Sequence, residues 1–262
     1  MRSSRLDTLV ASRENITRSQ ARSLIMEGRV RVNGTPATKA GANVADDSNI
    51  EIERPRRFVS RGGEKLERAL EDFGLDVNAK RALDVGASTG GFTDCLLQHG
   101  AAHVLAVDVG YGQLDWKLRN DARVTVMERT NFRHLRDDAF GEPFDVIVID
   151  ASFISLRTIL ARAFAYLSPG GDIVALVKPQ FEAGRERLGR GGVVRDPAVH
   201  RAVIGEVRDA ASDLGLTAVD LTASPLLGPA GNREFLMRLR RDGGQPVSDA
   251  KIAALVDEGS PA

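Results

Sequence analysis

Cysteine, lysine, tryptophan and long apolar runs are scarce in this chain of 262 residues, and each scarcity removes a class of protein. The single Cys95 excludes an internal disulfide; beside Leu96 and Leu97 on a predicted helix it reads as a buried structural thiol in a reducing compartment. The four histidines, His99, His103, His134 and His200, are scattered, so no His/Cys cluster offers a metal site. No apolar run reaches the ~18 residues of a membrane span. Asp7 and Glu14 stand where a signal peptide would be apolar, so the expectation is a cytoplasmic protein without membrane insertion. Net charge is zero, yet it divides as +4 over residues 1–60 and −4 over the remainder, which permits a nucleic-acid partner at the front.

What is present falls into two patterns. Leu6, Leu9 and Val10 make a short helical stripe, and Thr17-Arg18-Ser19-Gln20 matches a capping box ahead of Ala21, Leu24 and Ile25. Arg29-Val30-Arg31-Val32 then alternates at period two into the turn signal Asn33-Gly34, and Ile50-Glu51-Ile52 supplies a later strand. Two helices on a small sheet are therefore expected over residues 1–53. Residues 54–59, with Pro55 among charges, read as a linker. From residue 60 to 241, strand-like runs at Arg81–Val85, Val104–Asp108, Val124–Met127, Val146–Asp150 and Ile173–Val177 alternate with helical stretches. That alternation predicts an α/β domain with a mainly parallel sheet. Ala218–Ala223 and Phe235–Leu239 have no long helix between them, which predicts an antiparallel last strand. Residues 242–262 read as a tail prone to fray.

The first strand of that domain runs into Gly86-Ala87-Ser88-Thr89-Gly90-Gly91. A dinucleotide loop would need a second glycine two residues after Gly86, and a triphosphate loop would end in Gly-Lys-Ser/Thr; neither is present. S-adenosylmethionine needs the same close backbone approach without a phosphate. Asp84 at the strand tip is placed to face its amine, and Asp108, 24 residues on at the tip of the next strand, to accept ribose hydroxyls. Asn131, after the third strand, is placed near the adenine.

Arginine outnumbers lysine 30 to 6, so each lysine bears inspection. A lysine's proton affinity responds to its surroundings, whereas arginine stays charged. Lys178 ends a predicted central strand in LVKPQFE, where open α/β sheets place ligands, and Lys65 opens a helix in SRGGEKL. Asp150 ends VIVID and Glu234 precedes the last strand in GNREF.

Two resemblances add to these readings. The stretch from Arg5 through Gly41 resembles the S4 RNA-binding module, which implies that Arg5, Arg18, Arg22 and Arg29, with Arg61 beyond the linker, meet RNA. SRGGEKL, DVGASTGGFT, VDVGYGQL, ERTN, DASFISL, LVKPQFE and GNREF, in that order, resemble the TlyA family, in which an S4 module precedes an FtsJ-like, Rossmann-like methyltransferase domain. The resemblance covers about residues 5–240. It implies a seven-stranded sheet and a Lys-Asp-Lys-Glu tetrad at Lys65, Asp150, Lys178 and Glu234. It also implies S-adenosylmethionine-dependent 2′-O-methylation of ribosomal RNA, on cytidines of the small subunit, the large subunit or both. The sequence departs from the family at Arg56-Arg57-Phe58-Val59, where the family linker has tryptophan. The Gly- and Arg-rich stretch from Glu182 to Arg195 is expected to form a mobile lid facing RNA. The readings set against this one are a non-catalytic RNA-binding or ribosome-assembly factor and a membrane-active haemolysin.

Overall fold

The computed structural model describes residues 2–53, 57–228 and 230–258. It divides into two compact units, Met1–Arg57 and Phe58–Ala262.

In the first unit, helices α1 (Leu6–Glu14) and α2 (Arg18–Met26) follow a short strand β1 (Ser3–Arg5), and strands β2 (Val30–Val32), β3 (Thr35–Ala37), β4 (Asn43–Ala45) and β5 (Ile50–Ile52) complete it. The capping box forms: Gln20 N–H donates to Thr17 Oγ1 at 3.3 Å, and Thr17 N–H donates to Gln20 Oε1 at 2.9 Å. That reciprocity satisfies backbone donors a helix start leaves open. Strand β2 pairs antiparallel with β3 across the Asn33–Gly34 turn and with β5 on its other edge. Leu6, Val10, Ala21, Ile25 and Val30 form the core of this unit. A charged residue joins them: Asp7 is fully buried in the first turn of α1.

The second unit begins with α3 (Gly62–Asp72) and continues with β6 (Arg81–Val85), α4 (Gly91–Gln98), β7 (His103–Val107), α5 (Trp116–Arg119) and β8 (Val124–Met127). Strand β9 (Phe144–Ile149), α6 (Leu156–Tyr166), β10 (Leu167–Val177), α7 (Pro179–Glu182), α8 (Pro197–Asp213), β11 (Thr217–Ala223), β12 (Phe235–Arg240) and α9 (Asp249–Glu258) follow. Seven strands form one sheet in the order β11-β12-β10-β9-β6-β7-β8. All neighbours are parallel except those of β12, which runs antiparallel to β10 and β11. Period-two alternation splits each central strand between two cores. Leu83, Ile147, Ile149 and Ala175 pack with α6 and α8, while Ala82, Val146, Val148 and Val174 pack with α3 and α4. Helices on both faces account for the near-continuous apolar runs of β9 and β10.

Two expectations about boundaries are corrected. Phe58 and Val59 are part of the second unit rather than of a linker: Phe58 is buried in its core, and Val59 N–H donates to Asp94 Oδ2 at 2.9 Å. Arg54–Arg56 lie outside the described residues. The stretch after 241 does not fray throughout, because Val247, Ile252 and Val256 carry α9 onto the sheet's apolar face beside α8. The few large apolar residues after 241 look sparse in sequence, yet Ile252 and Val256 are one helical turn apart and share a face. Residues 259–262 of the expected tail lie outside the described residues.

Ile252→Ala should therefore cost about 2–4 kcal/mol in urea unfolding. A frayed segment would lose less than ~0.5 kcal/mol.

Candidate active site

The chain leaves β6 toward β7 and β8 on one side and returns to β9 on the other, so the loops after β6 and β9 part and open a crevice above the carboxyl ends of the strands. Gly86 sits at this parting with φ +87, and a Cβ there would lie 2.6 Å from the Asp150 carbonyl oxygen. Both the left-handed conformation and the contact require glycine. The two loops are pinned together by Asp150 N–H donating to Val85 O at 3.0 Å.

Two clefts meet here. One, of 470 Å³, is lined by Val107, Asp108, Asn131, Phe132, Arg133 and residues 150–154. The other, of 340 Å³, is lined by Ser60, Arg61, Gly62, Lys65, residues 86–89, Gly91 and Phe92. Gly86, Ser88 and Asp150 line both. The larger has apolar walls ending at a carboxylate, the form a nucleoside requires. Asp108 Oδ2 accepts Ser88 N–H at 2.8 Å and Oδ1 accepts Gly110 N–H at 2.6 Å. A carboxylate oxygen has two acceptor sites, so these backbone bonds fix the group and leave capacity for a pair of hydroxyls. Asn131 lines the same cleft while its Oδ1 accepts Arg133 N–H at 3.2 Å, so it both caps a 3₁₀ turn and faces the cavity.

Asp84 differs from its expected place. It has the parity of Ala82 and points under α4, away from both cleft walls; its Oδ2 accepts a 2.6 Å hydrogen bond from Thr93 Oγ1. Its Oδ1 is buried with no hydrogen-bond partner among the described residues. Burial pushes this carboxyl up to about 7, and the negative charges of Asp150 and Asp108 add to the rise against the Thr93 bond. A buried carboxyl with one bare oxygen beneath a ligand loop fits a cationic ligand nearby, since positive charge would favour its ionised form.

Four elements deliver the tetrad. Lys65 projects from the first turns of α3 and meets Glu234, just ahead of β12, at Nζ–Oε2 2.5 Å. Lys178, the residue after β10, meets Asp150, the residue after β9, at Nζ–Oδ1 2.6 Å and donates to Ser152 Oγ at 2.9 Å. The pairs are adjacent: Lys65 and Asp150 line one cleft, and Gln180 Nε2 lies 3.5 Å from Glu234 Oε1. Glu234 is almost wholly buried, and a Cβ on Gly228 would come within 2.5 Å of its Oε1, so only glycine leaves space there. Sequence reasoning missed Ser152, Gln180 and Ser60; each lies within two residues of a tetrad position or a motif glycine, the one signal that marked them.

The stretch after Lys178, expected to form a mobile lid, is anchored near both ends. Glu182 accepts Ser155 Oγ at 2.6 Å and Leu156 N–H at 2.7 Å, and Asn232 Oδ1 accepts Val194 N–H at 2.9 Å. Of the arginines assigned to RNA, Arg61 lines the smaller cleft, Arg29 pairs with Glu27 at 3.0 Å, Arg5 and Arg18 pair with Asp7, and Arg22 is exposed on α2. Among the described residues no group of three or more His, Cys, Asp or Glu is arranged to hold a metal, and no helix is long and apolar enough to cross a membrane.

A seven-stranded sheet with an antiparallel β12, a glycine loop at the parting of its strands and a ribose-type acid on the next strand define an S-adenosylmethionine-dependent methyltransferase. The FtsJ-like methyltransferase family matches residues 58–241 and the S4 domain matches residues 4–50. Over 226 residues the chain is 50% identical to the 16S/23S rRNA (cytidine-2′-O)-methyltransferase TlyA of Mycobacterium tuberculosis, covering 86% of this chain and 84% of that protein. It is 44% identical over 235 residues to Hemolysin A of Brachyspira hyodysenteriae, covering 88% and 98%. The solved structure of a Streptococcus thermophilus protein that carries a hemolysin name superposes with a TM-score of 0.75 at 43% identity, covering 98% of this chain and 96% of that one. The chain belongs to the TlyA family of FtsJ-like methyltransferases.

The Asp84 carboxyl makes a pH prediction. Its ordinary value is 3.8 and the folded protein raises it to about 7, so the folded state holds a proton that the unfolded state has lost between those pH values. Stability without cofactor should fall as pH rises across that window and level off above it. Asp84→Asn should flatten the fall, measured by denaturant unfolding at pH 4, 6 and 8.

Proposed function

We propose that this protein methylates the 2′-oxygen of a cytidine in ribosomal RNA, within the subunits of the ribosome and hence in the cytoplasm. The observation that carries this reading is the pair of lysine–carboxylate contacts, Lys178–Asp150 and Lys65–Glu234, whose members Asp150 and Lys65 line the smaller cleft. The activity in the name of the Mycobacterium tuberculosis relative supports the nucleotide class.

Asp108 takes the cofactor's ribose hydroxyls, Asn131 and Phe132 border its adenine, and the backbone of residues 86–91 receives its methionine end, with Asp84 beneath. Bound there, S-adenosylmethionine supplies an electrophilic methyl group. The rest falls to the chain. A ribose hydroxyl is a weak acid, so catalysis has to stabilise the charge that grows on its oxygen. The ion pair with Asp150 and the hydrogen bond to Ser152 hold the Lys178 ammonium in place and leave it donor capacity. That ammonium meets the 2′-oxygen as the hydroxyl proton leaves to water. Glu234 fixes Lys65, which adds a second positive charge without wandering. The target ribose must reach this crevice from folded RNA, so the nucleotide is turned out of its helix. Arg22, Arg29 and Arg61, with Arg5 and Arg18, meet phosphates, which makes binding weaken as salt rises.

Lys178→Ala should lower turnover about 10²–10⁴-fold. Its affinity for S-adenosylmethionine should stay unchanged in calorimetry. The assay is tritium transfer from labelled cofactor into ribosomal subunits, with mass spectrometry of the RNA to locate the methyl group. Binding of subunits without label in the RNA would favour an assembly factor.

A further inference from the structure

The buried Asp7 in the first unit is unused by the chemistry above. Arg5 forks onto it, Nε to Oδ1 at 3.1 Å and Nη2 to Oδ2 at 2.8 Å, and Arg18 Nε meets the same Oδ2 at 3.2 Å. Thr8 Oγ1 donates to Oδ1 at 3.3 Å. The carboxylate has no exposed surface, yet the two arginine side chains remain 47% and 54% exposed.

One arginine would be enough to neutralise a structural aspartate. A second, from a different helix, brings two like charges to a single oxygen atom and leaves a net charge of +1 on the surface. Arg5 keeps Nη1 outside its hydrogen bonds to Asp7, and Arg18 approaches Asp7 through Nε while more than half of its side chain stays exposed. Two guanidinium edges side by side with one surplus positive charge match a single phosphodiester, which bears one negative charge and several acceptor sites. Gly41 completes the seat: a Cβ there would lie 3.1 Å from both terminal nitrogens of Arg5. Arg22 stands one turn beyond Arg18 on the same helix, placed for a neighbouring phosphate.

We propose that Arg5 and Arg18 form a preassembled seat for one RNA phosphate and that Asp7, an acid in an RNA-binding surface, is the positioning residue that makes it. The proposal rests on the RNA reading above. Arginine side chains lose much rotamer freedom when they are ordered on a ligand, and Asp7 takes that loss at folding instead of at binding.

The consequence opposes simple electrostatics. Asp7→Asn removes a negative charge from a surface that meets RNA, and charge alone predicts tighter binding. Preassembly predicts binding weaker by roughly tenfold. The experiment measures filter binding of the full chain to purified small and large ribosomal subunits from cells lacking the modification, together with kcat and KM for methyl transfer. Weaker binding and a raised KM with kcat unchanged support the seat, as does the absence of any further effect of Asp7→Asn when Arg5→Gln and Arg18→Gln are already present. A folded Asp7→Asn protein that binds as well as wild type, or better, overturns it. Should that variant not fold, Arg5→Lys decides: it keeps every charge but cannot fork onto both oxygens of Asp7. Weaker binding by Arg5→Lys supports the seat, and wild-type binding overturns it. A wild-type protein that binds neither subunit overturns the RNA reading itself, an outcome distinct from a variant that binds like wild type.

Discussion

The contact between the ends of β6 and β9 is the constraint from which the rest of the catalytic unit follows. Gly86 lies directly on the Asp150 carbonyl, and any side chain there would push the two strand ends apart. Because the chain turns away in opposite directions on either side of this contact, an opening in the sheet lies above it. The two clefts meet there and share Gly86, Ser88 and Asp150. Cofactor chemistry and target chemistry are thus neighbours because one glycine lets two strands close.

Around that opening the protein holds charges that its interior would otherwise reject. Lys178 is 10% exposed and Glu234 is 1% exposed, and a buried ion pair seldom adds stability over a well-packed apolar pair. Its value here is direction. Asp150 pairs in charge with one lysine while Ser152 accepts its hydrogen bond, Glu234 pairs with the other lysine, and Asp150 is held by its strand end while Gly228 leaves room for Glu234. Glu182 and Asn232 then fasten the stretch after Lys178, so a glycine-rich segment whose only regular structure is two 3₁₀ turns, Arg185–Arg187 and Arg190–Gly192, is held beside the site. The same device recurs in the first unit, where a buried acid holds two arginines while their outer edges stay in water.

Much of this was legible in the order of residues. Strand-like apolar runs place β6, β8 and β9 to within two residues, the capping box at Thr17 marks the start of α2, and the absence of a helix between β11 and β12 foretells the antiparallel strand. These are local signals, set by side-chain alternation and by hydrogen bonds spanning a few residues. Strand ends singled out Lys178 and Asp150, since open sheets gather such ends on one edge, but the four positions were named as a tetrad by the resemblance to FtsJ-like enzymes. Asp84 was legible as important but not in its direction. The parity it shares with Ala82 turns it beneath α4, and only the helix lying over it gives that parity a meaning.

The sequence alone determined the elements, their order and the residue types at the strand tips, since these depend on neighbours along the chain. The tertiary structure decided the partners: Lys65 with Glu234 across 169 positions, Lys178 with Asp150, Phe58 in the core of the second unit, Val256 under α8, and Asp7 between two arginines. Alternation and capping act over a few residues, whereas an ion pair or a packed face needs two segments at the same place, and distance along the chain carries no record of which segments meet.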